Sequence, residues 1–437
     1  MRKACLIALV VPLLAAGKWT EYKSGPFHIL SASGDRTARE ALTELEQLRH
    51  VLGGMLGKAD LQTVWPMHVI LSPGKQPASF VAGGSATLVA ASSDTALPPE
   101  LLRGVVKILL EDNVGRMPAA TEAAIADLFS TIQVNAGKVA IGSRPNDLPA
   151  DRAAAWAKLE MLATNPDYSG KLRVYLNNLQ QAMDEPSALK NAFSLTPAAL
   201  ADQLKSYAAA ATPVSGRTVN PNKDYIEVAA SDANVNQMLD ELRSNGKNIP
   251  PDSARGLAAK NTRAALELAV AANPKWAEPH IKLADLESTA TAKVPHLKQA
   301  ATLAPRDAAL WQRLAETQMA AAQYADAAKS WAAAEKAAPD EGARARIHIA
   351  RLGNEEQRAD FSDAERKRIA EERARALEQL KADAAAEIHA AEQAANERAG
   401  GLKSTQAVVA WWGDENGTKV EGTLTRVDCL TGNVLRF

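Results

Sequence analysis

The sequence predicts a mainly α-helical protein. An α+β N-terminal domain is followed by an all-α helical repeat array, a long charged helix and a short C-terminal β segment. Three observations predict this. Apolar residues make up 46% of the 437 positions, yet only 5% are aromatic and Ala dominates, which favours helices over pleated sheets. Strand-type runs beside Gly or Pro occur towards the two ends of the chain. Between them, small residues and prolines recur at a repeat spacing, with Pro305 and Pro339 standing 34 residues apart.

Composition also bounds the function. Lys and Arg total 50 against 51 Asp and Glu, a formal charge of −1. No basic excess is left for a nucleic-acid partner. Residues 1–17, MRKACLIALVVPLLAAG, read as a secretory signal peptide: Arg2 and Lys3, an apolar stretch, then Ala15-Ala16-Gly17. A periplasmic or secreted protein is expected, with no integral membrane segment after signal cleavage. Loss of Cys5 with that leader leaves Cys429 as the one thiol, too few for a disulfide or a Cys-based metal site.

From residue 18 to 210 the elements alternate. Pro26–Leu30 and Met67–Leu71 are strand runs, and Thr87–Ala91 is a third among loops. Between the first two, Ala38, Ala41, Leu42, Leu45, Leu48, Val51, Leu52 and Leu56 form one helical stripe. Helices are expected at Glu100–Asp112, Ala119–Asn135, Asp151–Thr164 and Gly170–Met183, and one opening at Thr196-Pro197. Residues 211–251, rich in Pro, Asn and Gly, read as a linker with one amphipathic piece at Val235–Arg243.

Residues 252–352 form an Ala-rich helical block. Within it, Trp311-x2-Leu314-Ala315-x2-Gln318, Ala327-x3-Trp331, Ala334 and Pro339 resemble the tetratricopeptide repeat. Leu283-Ala284, Leu297, Ala300 and Pro305 repeat the pattern, and Leu266, Ala269 and Pro274 look like the second helix of an earlier copy. Small residues at these positions let helix backbones approach while Trp and Leu fill the space between. The resemblance implies a concave groove lined by the first helix of each repeat. Its facing positions would be Glu278, Ile281, Asp285, Gln312, Glu316 and Met319, an acidic and polar set suited to a basic or amide-rich peptide.

Ser362-x-x-Glu365 is a capping box opening a charged helix over 362–399. Its thin apolar seam, including Ile369, Leu377 and Ile388, reads as a surface for docking on the repeat array or for coiled-coil self-association, or as a solvated strut. Residues 406–437 turn to strand chemistry, with Val408–Trp412 and Val420–Val427 flanking an Asn-Gly turn and Val434–Phe437 following a second.

A search for catalytic motifs returns little. The seven His residues (His28, His50, His68, His280, His296, His348 and His389) never fall three or four apart. There is no phosphate loop and no nucleophile elbow, and no cofactor is implied. His28 and His68 read as hydrogen-bonded structural residues of their strands.

The first domain nevertheless resembles the bacterial peptidase-MA-like gluzincins. The residues that carry this are Trp19-x4-Ser-x2-Phe-x-Ile-Leu30, the helix after it, the Val69-Ile-Leu71 strand, and Leu101–Asn113 followed by Ala120–Ser130. Asn191–Leu200, up to Ser206-Tyr207, is similar to the helical end of those domains. The resemblance implies a zinc centre on the two helices, but its positions are lost. The two His positions fall on Arg103 and Lys107, the general base on Gly104 and the glutamate ligand on Ala123. Cations repel Zn²⁺, Gly104 cannot take a proton and Ala123 offers no lone pair, so neither zinc nor catalysis is expected there. The two cations either rim a cleft for an anionic group or are surface residues balanced by Glu100, Glu111 or Asp112.

The expected function is therefore that of a non-catalytic, exported scaffold that binds a protein or peptide in its repeat groove. Two other classes stay open: a cryptic or zinc-independent hydrolase of the cell envelope, and a structural envelope component self-associating through 362–399.

Overall fold

The computed structural model describes residues 19–74, 78–135, 138–168, 170–358 and 360–401, with four short strands between 410 and 436. The expected signal peptide and the turns at Asp414–Gly417 and Gly432-Asn433 lie outside the described residues. The protein is mainly α, as the sequence predicts, with a mixed sheet in its N-terminal region. Residues up to Arg344 form one compact unit and those from Ala345 a second. The α+β part and most of the helical array, expected as separate domains, thus share one unit.

The chain begins with β1 (Thr20–Ser24), β2 (Phe27–Ser31), α1 (Asp35–Leu56), β3 (Met67–Ser72), β4 (Ser79–Ala82) and β5 (Thr87–Ser92). α2 (Pro99–Asn113), α3 (Ala119–Phe129), β6 (Gln133–Asn135), β7 (Lys138–Ile141) and α4 (Ala153–Thr164) follow. Next come α5 (Lys171–Gln180), α6 (Glu185–Phe193) and α7 (Pro197–Ser206). Thr196 caps α7 as expected, its hydroxyl accepting from Ala199 N at 3.2 Å. β8 (Thr212–Val214), α8 (Pro221–Asp224), β9 (Ile226–Ala229) and α9 (Asp232–Arg243) complete the α+β part.

The main sheet runs β4-β5-β3-β2-β1-β9. β2, β3 and β5 are parallel, and β1, β4 and β9 pair antiparallel at their edges. Side chains alternate between its faces. Phe27, Ile29, Val69, Leu71 and Val89 pack with the stripe of α1 and with α2 and α3. Leu30, Ile70, Leu88 and Ala90 face the other way, against Val235, Leu239 and Leu242 of α9.

This arrangement corrects the reading of 211–251 as a linker. β9 adds a strand beside β1, with Thr20 opposite Ala229, and β8 extends the β6–β7 hairpin. Gln47, buried on α1, clamps the same segment: its Nε2 donates to Arg217 O at 2.7 Å and its Oε1 accepts from Arg217 N at 2.8 Å. α9 closes the sheet's second face, and the buried Glu241 accepts from Gly84 N at 2.6 Å. The expected helix Ala119–Asn135 is also shortened: α3 stops at Phe129, and Gln133–Asn135 turns back as a strand.

The array is a run of helices, each packed on the next. α10 (Ala254–Ala259) pairs with α11 (Arg263–Ala272), α12 (Glu278–Leu286) with α13 (Ala290–Leu303), and α14 (Ala308–Ala320) with α15 (Tyr324–Ala337). α16 (Glu341–Glu356) follows. Leu314, Ala315, Ala327, Trp331 and Ala334 are buried, as the repeat pattern requires. The pairs are fixed to the α+β part. Arg255 stacks 3.8 Å over Trp65, Trp276 meets Trp65 edge to face at 5.0 Å, and Arg306 pairs with Glu122.

In the second unit, α17 (Asp363–Gly401) realises the capping box. Glu365 N donates to Ser362 Oγ at 3.3 Å and Ser362 N to Glu365 Oε2 at 2.8 Å. Ile369 is buried, whereas Leu377 and Ile388 are exposed. Among the described residues no helix is long and apolar enough to cross a membrane. β10 (Ala410–Gly413) pairs antiparallel with β11 (Lys419–Gly422), and β12 (Arg426–Asp428) with β13 (Val434–Arg436).

Val235 is fully buried on α9. Val235→Asp is expected to cost roughly 3 kcal/mol or more in urea unfolding, because it buries a carboxylate without a partner. An unchanged midpoint would return 211–251 to the status of a linker.

Candidate functional site

The α2–α3 positions come together as an ion-pair cluster. Arg103 Nε donates to Asp127 Oδ1 at 2.7 Å, and its two terminal nitrogens grip Asp147, also at 2.7 Å. Asp127, on α3, is fully buried, and Arg152 Nη2 stands 2.5 Å from its other oxygen. The bidentate Asp147 pair, followed by the Asp127 bond, outweighs burial and raises the Arg103 pKa further. Arg103 is therefore balanced by Asp127 and Asp147, not by the Glu100, Glu111 or Asp112 of its own helix.

Gly104 packs on the Phe80 ring of β4, and a Cβ there would fall 2.4 Å from Phe80 Cζ. An aromatic ring fills the space a side chain at 104 would take. Lys107 is exposed. Ala123 is half-buried, and its carbonyl accepts from Arg152 Nη2 at 3.3 Å. The neighbouring carboxylates Glu122 and Asp112 have structural partners too. Glu122 takes Arg306 and Met117 N, and Asp112 accepts from Val64 N at 2.8 Å.

The candidate groove positions lie on α12 and α14. Glu278 pairs with Lys282 at 2.8 Å, and Asp285 pairs across the two helices with Arg313. Gln312 Nε2 donates to Glu316 Oε1 at 3.0 Å, while Ile281 and Met319 are half-buried. The expected acidic lining is thus balanced by cations at two of its three acids. The sequence reading missed Lys282 and Arg313 because it followed only the groove positions.

Two further constellations escaped the sequence. The first is a cleft of about 1370 Å³ between the N-terminal half of α1, the ends of β3 and β5, and residues 216–222. It lies beyond the carboxyl ends of parallel strands, the usual place for a ligand in such sheets. Arg36, Arg39, Lys138 and Arg217 line it together with Asp35, Glu40, Glu44 and Asp94. Burial pushes the Glu44 carboxyl up to about 7, although Leu97 N–H partly opposes this.

The second is Glu21, His28 and His68, side by side on β1, β2 and β3 on the face that α9 covers. His28 Nδ1 lies 2.9 Å from Glu21 Oε1, and the two imidazole rings stack at 4.5 Å. Burial works to raise the Glu21 pKa, but hydrogen bonds from His28 and Lys23 together bring it down to about 2. Burial, and then the neighbouring His28, lowers His68 to about 4. The signal for this pairing was present: each strand run carries one His, after Phe27 and after Met67.

Comparison of the chain with family models, curated proteins and solved structures returns no match.

The folded state holds the Glu44 proton more tightly than the unfolded chain, whose carboxyl titrates near 4.5. Ionisation therefore erodes stability as pH rises from about 4.5 to about 7. Glu44→Gln is expected to stabilise the fold above that range by up to about 3 kcal/mol, with the gain vanishing near pH 4. Urea unfolding across pH 4–8, as an approximate range, checks this.

Proposed function

We propose that this chain is an exported, non-catalytic protein-binding scaffold. Its metallopeptidase-like domain has lost zinc chemistry, and its tetratricopeptide-like array carries the ligand. One observation supports this above the others: Arg103 is committed to Asp127 and Asp147 where a hydrolytic centre would need a neutral ligand and an open position. Phe80 against Gly104 supports it further, since no side chain can stand there to take a proton from water without moving the ring.

The groove reading becomes more specific with Glu278 and Asp285 paired. A strongly basic ligand would have to displace Lys282 and Arg313. An amide-rich or mixed-charge peptide fits better, because the Gln312–Glu316 pair offers both donors and acceptors. Asp285→Lys with Glu316→Lys is expected to abolish capture of partners from an envelope extract at unchanged thermal stability. Undiminished capture, or chelator-sensitive cleavage of an unfolded protein substrate, would sink the scaffold reading.

A second reading, self-association, is favoured by exposed Leu377 and Ile388 on α17. Leu377→Asp with Ile388→Asp should lower the mass seen by light scattering if these positions form a helix–helix seam. An unchanged mass removes that reading.

A further inference from the structure

We propose that the α9-covered face of the sheet holds a copper(I) site. Its ligands are the imidazoles of His28 and His68 and the thioether of Met238, with Glu21 fixing His28 from behind. The site is distinct from the scaffold function and lies on the opposite face of the sheet from α2, so it does not restore a hydrolase.

Geometry carries the inference. In-register pairing of parallel β2 and β3 sets His28 opposite His68, and antiparallel β1 brings Glu21 alongside. One ligand atom from each of Glu21, His28 and His68 falls within 4.8 Å of the others. His68 Nδ1 stands 3.3 Å from Met238 Sδ on α9. Two atoms bound to one ion at ordinary nitrogen and sulfur bond lengths stand about 3.5 Å apart. The rings stack at 4.5 Å, so a bound ion requires the His68 ring to turn out of the stack while Glu21 keeps hold of His28.

Tautomer chemistry points the same way. A carboxylate only accepts, so the 2.9 Å contact with Glu21 puts the proton on His28 Nδ1 and leaves Nε2 free. A carboxylate behind a histidine is the common support of a metal ligand, since it orients the ring and raises its basicity.

Charge and softness choose the ion. Lys23 Nζ lies 3.0 Å from Glu21 Oε2 and neutralises that carboxylate. A dication would add two uncompensated charges beside Trp19, Leu30 and Leu239, whereas copper(I) adds one. Thioether sulfur is a poor ligand for zinc and a good one for copper(I).

The test uses the full chain with Cys5→Ser and Cys429→Ser, so that thiols do not compete. Copper(I) is titrated under a reductant against bicinchoninate, and X-ray absorption reads the ligand set. One retained ion per chain with nitrogen and sulfur neighbours is expected. His28→Ala with His68→Ala should abolish retention. Met238→Leu, which conserves volume, should remove the sulfur scatterer and weaken binding at an unchanged melting temperature. Glu21→Gln should weaken it by about 10–100-fold. Copper(I) lost to the competitor, copper(I) held equally well by Met238→Leu, or zinc bound in its place would each overturn the proposal.

Discussion

Parallel strands bury both faces, and this requirement shapes the N-terminal unit. β2, β3 and β5 present Ile29, Val69 and Val89 to one side and Leu30, Ile70 and Leu88 to the other. α1, α2 and α3 cover the first side. The second would stand open if the chain left the domain at residue 210. α9 supplies the cover, and β9 and the Gln47–Arg217 clamp carry the chain back to it. A polar, Pro-rich stretch thereby becomes part of the core.

The α2–α3 cluster is held together by charge buried between two helices. Burying Asp127 is costly in itself, and two guanidiniums offset that cost only while both remain in place. Such an arrangement resists opening. It ties two helices and the 147–152 turn into one rigid corner, where a hydrolytic site would keep a free coordination position and an ionisable base.

Much of the fold was legible because its signals are periodic. The α1 stripe, the α7 cap and the Ser362–Glu365 box all appear as expected, and Leu314 and Trp331 are buried. β9 was not legible because Ile226–Ala229 is exposed at every position, and main-chain pairing with β1 and the Arg39–Glu227 ion pair hold it. The end of α3 was obscured by its run of alanines. The change to Ser130, β-branched Thr131 and Ile132 was the one local sign of the turn that follows. At the candidate sites, the residue types at positions 103, 104, 107 and 123 could be read directly. The partners of Arg103 could not, since Asp127 and Asp147 lie 24 and 44 residues away and only tertiary folding joins them.

The contact between Arg306 and Glu122 has a mechanical consequence. Arg306 sits in the turn between α13 and α14, and Glu122 in the first turn of α3, the helix that also carries Asp127. Any displacement of the α13–α14 turn is transmitted through that pair to α3 and so to the buried Asp127 that α3 carries.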